Sequence, residues 1–457
     1  MSQQIDIIVP VYNGLEDLKK CVESVKKNTD LNRHRLILVD DKSPDRNVLP
    51  YLKSVESEAI HVIESPVNKG FSASVNKGMQ YSDRDVILLN SDTIVTKGWV
   101  EKIVACAYFK RAAATVTPLS NAATLCSVPE FLQDNALPCG YDAEKMGALV
   151  EHCSIRRYPR VTVAVGFCMF IKREVIEKIG YFDAETFGKG YGEENDFCHR
   201  AEQQGYQHLM CDDTFIFHKG TASFDSEEKR MLLEEHERIL RERYPAYIER
   251  NGQYCMKNPN RDLQENIKLY LKLNYASEGK LYLTDSFPVE NKEEKAFYAV
   301  RQERSIQVKA FCNGKEVFFS FPAPELGVQT GLAEEAEEEV LKDLMCAFSL
   351  KDVIQTAQGN FALQTFDVLQ KEARNLKNTF DTKRILRGYL TANEDFMSEN
   401  ELIDGFYGKG LRSLKETYEA LQREDKVRQE ELSNIYHSKR FRLACAMEKM
   451  IKPFKRG

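Results

Sequence analysis

The sequence predicts an α/β fold with a mainly parallel sheet flanked by helices, followed by a small β-containing module and a helix-rich C-terminal region. Short apolar runs alternate with helical patterns over the first 220 residues, an Asn-Gly turn separates two strand-like runs near residue 313, and acidic helical sequence begins near residue 331. The 457 residues are enough for about three domains. We predict them at residues 1–250, 251–330 and 331–457.

Four β-branched apolar runs are predicted to form the parallel strands of the first domain: Ile5–Val9, Arg35–Val39, Ile60–Ile63 and Val86–Leu89. Helices are predicted between them, near Val48–Val55, after Gly70, and in a first segment whose apolar face contains Leu15, Leu18, Val22 and Val25. Because ligands bind beyond the carboxyl ends of parallel strands, we expect the loops after these strands to converge on one crevice.

The rest of the chain is predicted to contain charged helices and one hairpin. The segment EEKRMLLEEHERILRERYPAYIER has the pattern of a single amphipathic helix that closes the first domain. Asn313 and Gly314 separate two strand-like runs, which is a hairpin signal. The segment GLAEEAEEEVLKDL places acidic residues in the first turns of a helix, where the helix dipole favours them.

Charge and hydropathy argue against two classes of protein. The 64 basic and 70 acidic residues give a net charge of −6, so no overall positive field attracts nucleic acid. No apolar run approaches the roughly 18 residues of a membrane-spanning helix, and the N-terminus lacks a signal-peptide pattern, so we expect a cytoplasmic protein. The 12 cysteines show no zinc-site spacing and are expected to be reduced thiols.

Two acidic residues end the second predicted strand, in the phrase LILVDDKSPD. The carboxylates of Asp40 and Asp41 can accept hydrogen bonds from a nucleobase N–H or a ribose hydroxyl. The alternative is that they cap the next turn together with Ser43 and Asp45.

A phosphate contact is predicted at the segment Asn68-Lys69-Gly70, where backbone N–H groups at a helix start, aided by Lys69, suit phosphate oxygens. The segment is neither a P-loop nor a dinucleotide fingerprint. Both GxxxxGK[ST] and GxGxxG are absent after the first strand, where the sequence reads PVYNG.

A metal site is predicted from Asp92 and His218. Asp92 follows Asn90 and Ser91 at the end of a buried strand, and its carboxylate suits a hard cation such as Mg²⁺ or Mn²⁺. His218 follows a strand in FIFHKGTASF, and neutral imidazole is a ligand for the same cation. The alternatives are a turn-forming aspartate and a structural histidine.

The segment GKGYGEENDFCHR carries the candidate catalytic acids, because a Gly- and aromatic-rich loop runs into a helix with Glu193, Glu194, Asp196 and Arg200. Glu194, or alternatively Asp196, is predicted to take the proton from an attacking hydroxyl. Arg200 is expected to pair with one of these acids and keep it ionised. Complementarity to the helix dipole explains one or two of the acids, but not all four charged groups.

Together these motifs resemble a family-2 glycosyltransferase with the GT-A fold. The set comprises PVYN, VDD, two Asn-x-Gly steps, LLNSD, REV followed by IGYFD, GEENDFC and the late histidine, in the family's order over residues 5–224. The resemblance implies a Rossmann-type sheet and inverting, metal-dependent transfer of a sugar from a nucleotide sugar, of the UDP or dTDP type. The implied acceptor is a hydroxyl of a glycan or lipid-linked glycan in cell-surface polysaccharide or glycoconjugate synthesis.

The resemblance also implies roles at matching positions. The residues implied to bind the donor lie at strand ends: Pro10, Tyr12, Asn13, Asp40, Asp41, Asn68, Lys69 and Asn90. The ligands implied for Mn²⁺ or Mg²⁺ are Asp92 and His218. The implied catalytic base is Glu194. Asp196 stays the alternative catalytic residue, and we predict Glu193 and Arg200 on the acceptor side. Two positions depart from the family's pattern, since the metal motif reads Asn-Ser-Asp with one acid and the base position is Glu where many members have Asp.

Other protein classes remain as alternatives. A nucleotidyltransferase is disfavoured because PVYNG is not a Gly-rich, Arg-containing loop. A catalytically inactive glycosyltransferase-like protein that binds carbohydrate, or a membrane adaptor built on the helical half, would use the same fold without the reaction.

The last 20 residues carry seven basic residues against Glu448 alone. One helical face of this segment contains Leu443, Met447, Met450, Ile451 and Phe454. We therefore predict peripheral binding to an anionic membrane surface at the inner face of the cell membrane. The alternative is packing of this helix on its own chain or on a second copy in a homodimer.

Overall fold

In the computed structural model, the described residues are 3–220, 227–290, 293–323, 330–356, 361, 363–376 and 379–393. The chain divides into a large unit of residues 1–317 and 322–386 and a small unit of residues 318–321 and 387–457. Within the small unit, the rings of Phe319 and Phe321 stack 6.0 Å apart, and the Phe319 ring lies 6.1 Å from that of Tyr389. The predicted amphipathic tail, residues 438–457, lies outside the described residues.

The first 220 residues contain ten strands: β1 (Ile5–Val11), β2 (Arg35–Asp40), β3 (Ile60–Glu64), β4 (Asp85–Leu89), β5 (Thr93–Ile94), β6 (Ala113–Leu119), β7 (Arg160–Val161), β8 (Cys168–Ile171), β9 (Gln207–Phe215) and β10 (Phe217–His218). Eight of them form one sheet in the order β3-β2-β1-β4-β8-β6-β9-β7, and β5 pairs with β10 separately. Neighbours in β3-β2-β1-β4 run parallel, as do β6 and β9, whereas β8 and β7 are antiparallel to their neighbours. The predicted mainly parallel sheet is confirmed.

Seven α-helices accompany this sheet: α1 (Leu15–Asn28), α2 (Val48–Val55), α3 (Phe71–Tyr81), α4 (Trp99–Phe109), α5 (Ala143–Cys153), α6 (Arg173–Ile179) and α7 (Glu193–Gln203). The first three occur where the helical patterns predicted them. In α1, Leu18, Val22 and Val25 are buried at the spacing that places them on one helical face. The strand β1 is buried along most of its length, as expected for a central strand of a parallel sheet covered by helices.

Residues 227–257 form two helices, so the prediction of one continuous helix was wrong. These are α8 (Glu227–Arg243) and α9 (Pro245–Lys257), separated by Tyr244 at φ −138° and ψ 58°. A proline ring disfavours the helical conformation in the residue that precedes it, which explains the break at Tyr244. Pro245 itself occupies the first turn of α9, where a missing N–H costs no hydrogen bond.

The following elements of the chain are α10 (Arg261–Lys272), β11 (Gly279–Thr284), β12 (Lys295–Arg301), β13 (Ser305–Cys312), β14 (Lys315–Pro322), α11 (Thr330–Phe348), β15 (Leu350–Gln355), α12 (Leu363–Ala373) and α13 (Thr382–Ala392). In a second sheet, β13, β12, β11 and β15 lie in that order. Asn313 and Gly314 form the predicted turn after β13. Their φ angles of 49° and 73° are the positive values that this two-residue turn requires at both positions. The strand β15 comes from sequence predicted to be helical.

Among the described residues, no helix has both the length and the apolar character needed to span a membrane. The cysteines in this part of the chain are free thiols, and most of them are buried.

Candidate active site

Side chains that were predicted to bind a nucleotide join the loops after β1, β2 and β3 by accepting hydrogen bonds from backbone N–H groups. Both carboxylate oxygens of Asp41 accept backbone N–H groups, from Lys69 and Gly70, at 2.8 Å each. Asp40 Oδ1 accepts the backbone N–H of Ser43 at 3.1 Å, which is the turn-capping contact considered as the alternative. Both acids are buried, at 4% exposure. Asp41 therefore holds the loop of Asn68 and Lys69 against the end of β2.

The loop after β1 is tied to the same cluster by Asn13. Its backbone N–H donates to Ser43 Oγ at 3.2 Å, and its Oδ1 accepts the backbone N–H of Asp45 at 3.2 Å. Tyr12, which directly follows the strand that contains Pro10, is 53% exposed. An exposed aromatic ring beside the carboxyl ends of parallel strands is suited to stacking on a planar ligand.

Gly70 brings the loop of residues 68–70 against the loop of residues 187–192. A Cβ on Gly70 would stand 2.1 Å from the carbonyl oxygen of Gly188, and its φ is +88°. The first turn of α3 reinforces this approach, because Ser72 Oγ donates to the carbonyl oxygen of Phe187 at 2.6 Å. The loop that leads into α7 is thereby fixed beside the loops at the strand ends.

The pairing of β5 with β10 brings His218 to Asp92. His218 pairs with Thr93 across these antiparallel strands, and its Nε2 lies 3.4 Å from Asp92 Oδ1. Its Nδ1 is 2.6 Å from the carbonyl oxygen of Ala122, which can only accept, so we assign the proton to Nδ1. The imidazole also stacks on Phe167, with ring centres 5.2 Å apart.

Burial and charge act in opposite directions on His218. Burial opposes the protonated imidazole, but the Asp92 carboxylate and the Ala122 carbonyl outweigh it, so the pKa of His218 is raised. Nε2 is buried and makes no well-formed hydrogen bond, although Asp92 is at ion-pair distance. A buried imidazole nitrogen that faces a carboxylate fits a divalent cation, which would take the place of a proton on Nε2.

His218 and Asp92 provide two protein ligands, and no group of three or more His, Cys, Asp or Glu side chains suited to a metal ion occurs in the described part of the chain. An ion held by this pair therefore needs further oxygen ligands from a bound substrate or from water.

The acids at the start of α7 form a coupled pair. Glu193 is buried at 4% exposure, and its Oε2 has no hydrogen-bond partner. Burial, followed by the nearby Glu194 carboxylate, raises the pKa of Glu193 well above its usual range. Burial also raises the pKa of Glu194, whereas the backbone N–H of Gly192, 3.3 Å from its Oε2, acts in the opposite direction. Of the two acids, Glu193 therefore keeps its proton to the higher pH.

Asp196 and Arg200 are bound to each other and to the structure around α7. Asp196 accepts hydrogen bonds from Arg200 Nε at 2.8 Å and from the Tyr244 hydroxyl at 2.7 Å. Arg200 also donates to the carbonyl oxygens of Ile179 and Tyr181. Arg200 thus pairs with one of the three predicted acids, as expected. Asp196 does not line the cavity that Glu194 lines. These hydrogen bonds indicate that Asp196 holds α7 against its neighbours.

One cavity of about 340 Å³, here called the Asp92 cavity, brings most of the candidate chemistry together. Its polar lining residues include Asn90, Asp92, Asp134, Glu193, Glu194 and His218. Lys189 is the only lysine or arginine among the described residues that line it. Sequence patterns did not point to Asp134, which belongs to no motif, whereas Lys189 lies inside the Gly-rich loop that leads into α7.

Residues 6–180 match the family model for glycosyl transferase family 2. The low-salt glycan biosynthesis hexosyltransferase Agl10 of Haloferax volcanii is 24% identical over 224 residues, 46% of this chain and 66% of that protein. The uncharacterized protein y4gI of Sinorhizobium fredii is 22% identical over 276 residues, 57% of this chain and 29% of that protein. The chain thus spans less than two thirds of either relative.

A crystal structure of GalNAc-T7 with UDP, GalNAc and Mn²⁺ overlaps 70% of this chain and 67% of that chain, with 14% sequence identity and a TM-score of 0.41. The family match ends before α7 and β10, so Glu194 and His218 lie outside the matched residues.

Proposed function

From the match of residues 6–180 to the family model for glycosyl transferase family 2, we propose that the chain is a glycosyltransferase that moves a sugar from a UDP- or dTDP-sugar to a hydroxyl of a glycan, with inversion at the anomeric carbon. The proposed role is in the synthesis of cell-surface polysaccharide or glycoconjugate. One observation carries the proposal, because Asp92, His218 and the Glu193–Glu194 pair all line the Asp92 cavity.

In this proposal Glu194 is the general base. It accepts the proton of the acceptor hydroxyl as the hydroxyl oxygen bonds to the anomeric carbon, and the bond to the diphosphate oxygen breaks with its electron pair leaving on the diphosphate. No covalent sugar intermediate is needed. Glu194 is favoured over Asp196 because it lines the cavity, whereas Asp196 accepts two short hydrogen bonds elsewhere. Glu193 supports Glu194 by holding the proton of the pair.

The charge of the cavity supports the use of a cation. Four acids line it, Asp92, Asp134, Glu193 and Glu194, whereas Lys189 is the only lysine or arginine among the described residues of the lining. A nucleoside diphosphate is itself anionic, so its binding here requires added positive charge. We propose that Asp92 and His218 hold Mn²⁺ or Mg²⁺, which when bound neutralises charge on the departing diphosphate, and that Lys189 contributes to the same effect.

The donor's nucleoside is proposed to lie over the joined loops at the ends of β1, β2 and β3. Among the described residues, the hydrogen bonds of the Asp40 side chain involve Oδ1, so Oδ2 can accept one from the nucleoside. The exposed ring of Tyr12, beside Pro10 and Asn13, is proposed to contact the base. Asn68, Lys69 and Asn90 are proposed to lie near the donor's phosphates and sugar.

The proposal is tested by incubating purified full-length protein with UDP-, dTDP-, GDP- and CMP-sugars, with and without Mn²⁺ or Mg²⁺. Release of one nucleoside diphosphate that requires the metal supports a transferase and identifies its donor. If folded protein releases none of them, the proposal fails. Binding of sugars without turnover would then favour a catalytically inactive carbohydrate-binding protein.

A further inference from the structure

A second and larger cavity, of about 1030 Å³, opens beside Glu194 between the start of α7 and the helices α8 and α9. We call it the α8–α9 cleft. Three residues, Thr124, Tyr191 and Glu194, line both the cleft and the Asp92 cavity. The proposed general base is therefore accessible from two spaces. If the nucleotide sugar occupies the Asp92 cavity, the acceptor has the cleft as its route to Glu194.

The walls of the cleft are largely apolar. Leu233, Leu240, Pro245 and Ile248 line it, and Leu233 is 40% exposed although it is a leucine. Leu233 and Leu240 are seven residues apart on α8, so they lie on the same helical face. Exposed apolar surface in a concave site favours a ligand that removes this surface from water.

The charged groups of the cleft argue against an anionic ligand. Glu194, Glu237 and Glu249 line it, against one arginine, Arg241, among the described residues. The Arg241 guanidinium is hydrogen bonded to Glu237, so its charge is already compensated. A phosphate or carboxylate in the cleft would thus face an excess of negative charge, whereas a neutral ligand would not.

The polar end of the cleft lies at Glu194. His236 also lines it, and its Nδ1 lies 2.6 Å from the carbonyl oxygen of Tyr191, so Nδ1 donates to that oxygen and Nε2 is the ring nitrogen left for a ligand. A ligand in the cleft therefore meets hydrogen-bond acceptors at this end and apolar side chains along α8 and α9. This distribution matches an amphipathic molecule with a hydroxylated head and an apolar tail.

We propose that the α8–α9 cleft binds an uncharged acceptor glycoside whose sugar lies at Glu194 and whose apolar aglycone lies against Leu233 and Ile248. This inference rests on the proposed transferase function and specifies its acceptor. It assigns to the cleft a selectivity for the aglycone that is separate from the recognition of the sugar.

The test uses matched acceptors that differ only in the aglycone. Methyl and octyl glycosides of glucose, galactose and N-acetylglucosamine are compared with the donor found by the release assay, with the octyl compounds below their critical micelle concentrations. We expect kcat/KM for at least one octyl glycoside to exceed that of its methyl counterpart at least ten-fold, because several methylene groups leave water.

Three substitutions locate the effect. Leu233→Gln should lower the octyl-to-methyl ratio at least five-fold, whereas the conservative Leu233→Met should retain it. Met231→Gln is the matched control, since Met231 is 62% exposed on the same helix and does not line the cleft. It should leave the ratio and the turnover of the methyl glycoside unchanged. Because the ratio is measured within each variant, a loss of folded protein does not affect it.

Equal turnover of octyl and methyl glycosides by wild-type protein, or an unchanged ratio in Leu233→Gln, would overturn the inference while transfer itself still stood. Failure of wild-type protein to use any donor would instead overturn the proposed function, and this inference with it.

Discussion

His218 Nε2 lies 3.4 Å from Asp92 Oδ1, although the two residues are far apart in the sequence. The short antiparallel pair of β5 and β10 sets this distance by aligning His218 with Thr93. Because Nδ1 is engaged by the Ala122 carbonyl, Nε2 is the ring nitrogen that faces the carboxylate. The relationship gives the metal proposal a specific pair of ligands.

Replacing Asp92 by asparagine tests that pair. The amide is a weaker ligand and carries no charge, so Asp92→Asn should raise the Mn²⁺ concentration for half-maximal turnover at least ~10-fold. A metal titration of nucleotide release measures the change. The matched control is Asp17→Asn, because Asp17 pairs with Lys219, the neighbour of His218, and does not line the Asp92 cavity. An identical metal response in Asp92→Asn and wild-type protein would contradict the assignment.

Substitution of the proposed base should separate chemistry from donor binding. Glu194→Gln keeps the shape of the side chain but cannot accept a proton, so transfer should slow by ~10²–10⁴. The dissociation constant of the nucleotide donor, measured by calorimetry, should change little. Transfer at the wild-type rate would show that Glu194 is not the base.

The pair of glutamates makes a prediction about pH. A base works only when ionised, so the acid limb of kcat/KM follows the pKa of Glu194. A hydrogen bond from Glu193 lowers that pKa and opposes the effect of burial. Glu193→Leu removes the donor, so the pKa of Glu194 should rise and the acid limb should move to higher pH.

The comparison variant is Glu193→Gln, whose amide can still donate, and its acid limb should stay closer to that of wild-type protein. A limb that moved to lower pH in Glu193→Leu would exclude Glu193 as the donor of this hydrogen bond.

Asp196 is predicted to affect stability more than catalysis. Its carboxylate is 1% exposed and accepts hydrogen bonds from Arg200 and Tyr244. Asp196→Asn leaves the charge of Arg200 without its carboxylate partner, which should lower the free energy of unfolding by about 3 kcal/mol. Chemical denaturation measures this loss, and kcat of the folded fraction should remain within a few-fold of wild type. A loss of kcat as large as that of Glu194→Gln would show that Asp196 takes part in catalysis.

The contribution of the close approach of Gly70 to Gly188 to stability can be tested with a control glycine that has nearly the same backbone conformation. Gly70 has φ 88° and ψ 174°, and Gly180 has φ 81° and ψ −171°. An alanine Cβ would meet the Gly188 carbonyl at the first position but nothing within 4 Å at the second. Both substitutions carry the strain of positive φ, but Gly70→Ala should cost at least ~1 kcal/mol more, because the two loops must separate. Equal losses in thermal denaturation would mean that the approach has no energetic importance.

The four strands β1 to β4 were predictable because their cause is local. A run such as Ile5–Val11 is apolar at nearly every position, which suits a strand covered on both faces, and the helix that follows shows its own 3.6-residue period. The break between α8 and α9 was also encoded locally, by Pro245, but the helical pattern on either side obscured it. The strand β15 was missed because a single six-residue strand directly follows a long helix.

Helical periodicity also explains why Asp196 and Glu194 separate. Residues two positions apart on a helix point in directions that differ by about 200°, so both could not face one cavity. The same rule favours the Asp196–Arg200 pair, which is spaced by one turn.

The parallel strands β1 to β4, the helices between them and the polar residues at the strand ends could be predicted, because these depend on periodicity and on the chain direction of short segments. Which of these residues meet depends on the tertiary packing. Asp41 holds the Lys69 loop, His218 reaches Asp92, and Glu194 lies between two cavities. Such contacts join residues far apart in the chain, and their distances follow from how strands pair and how loops pack, which no local pattern specifies.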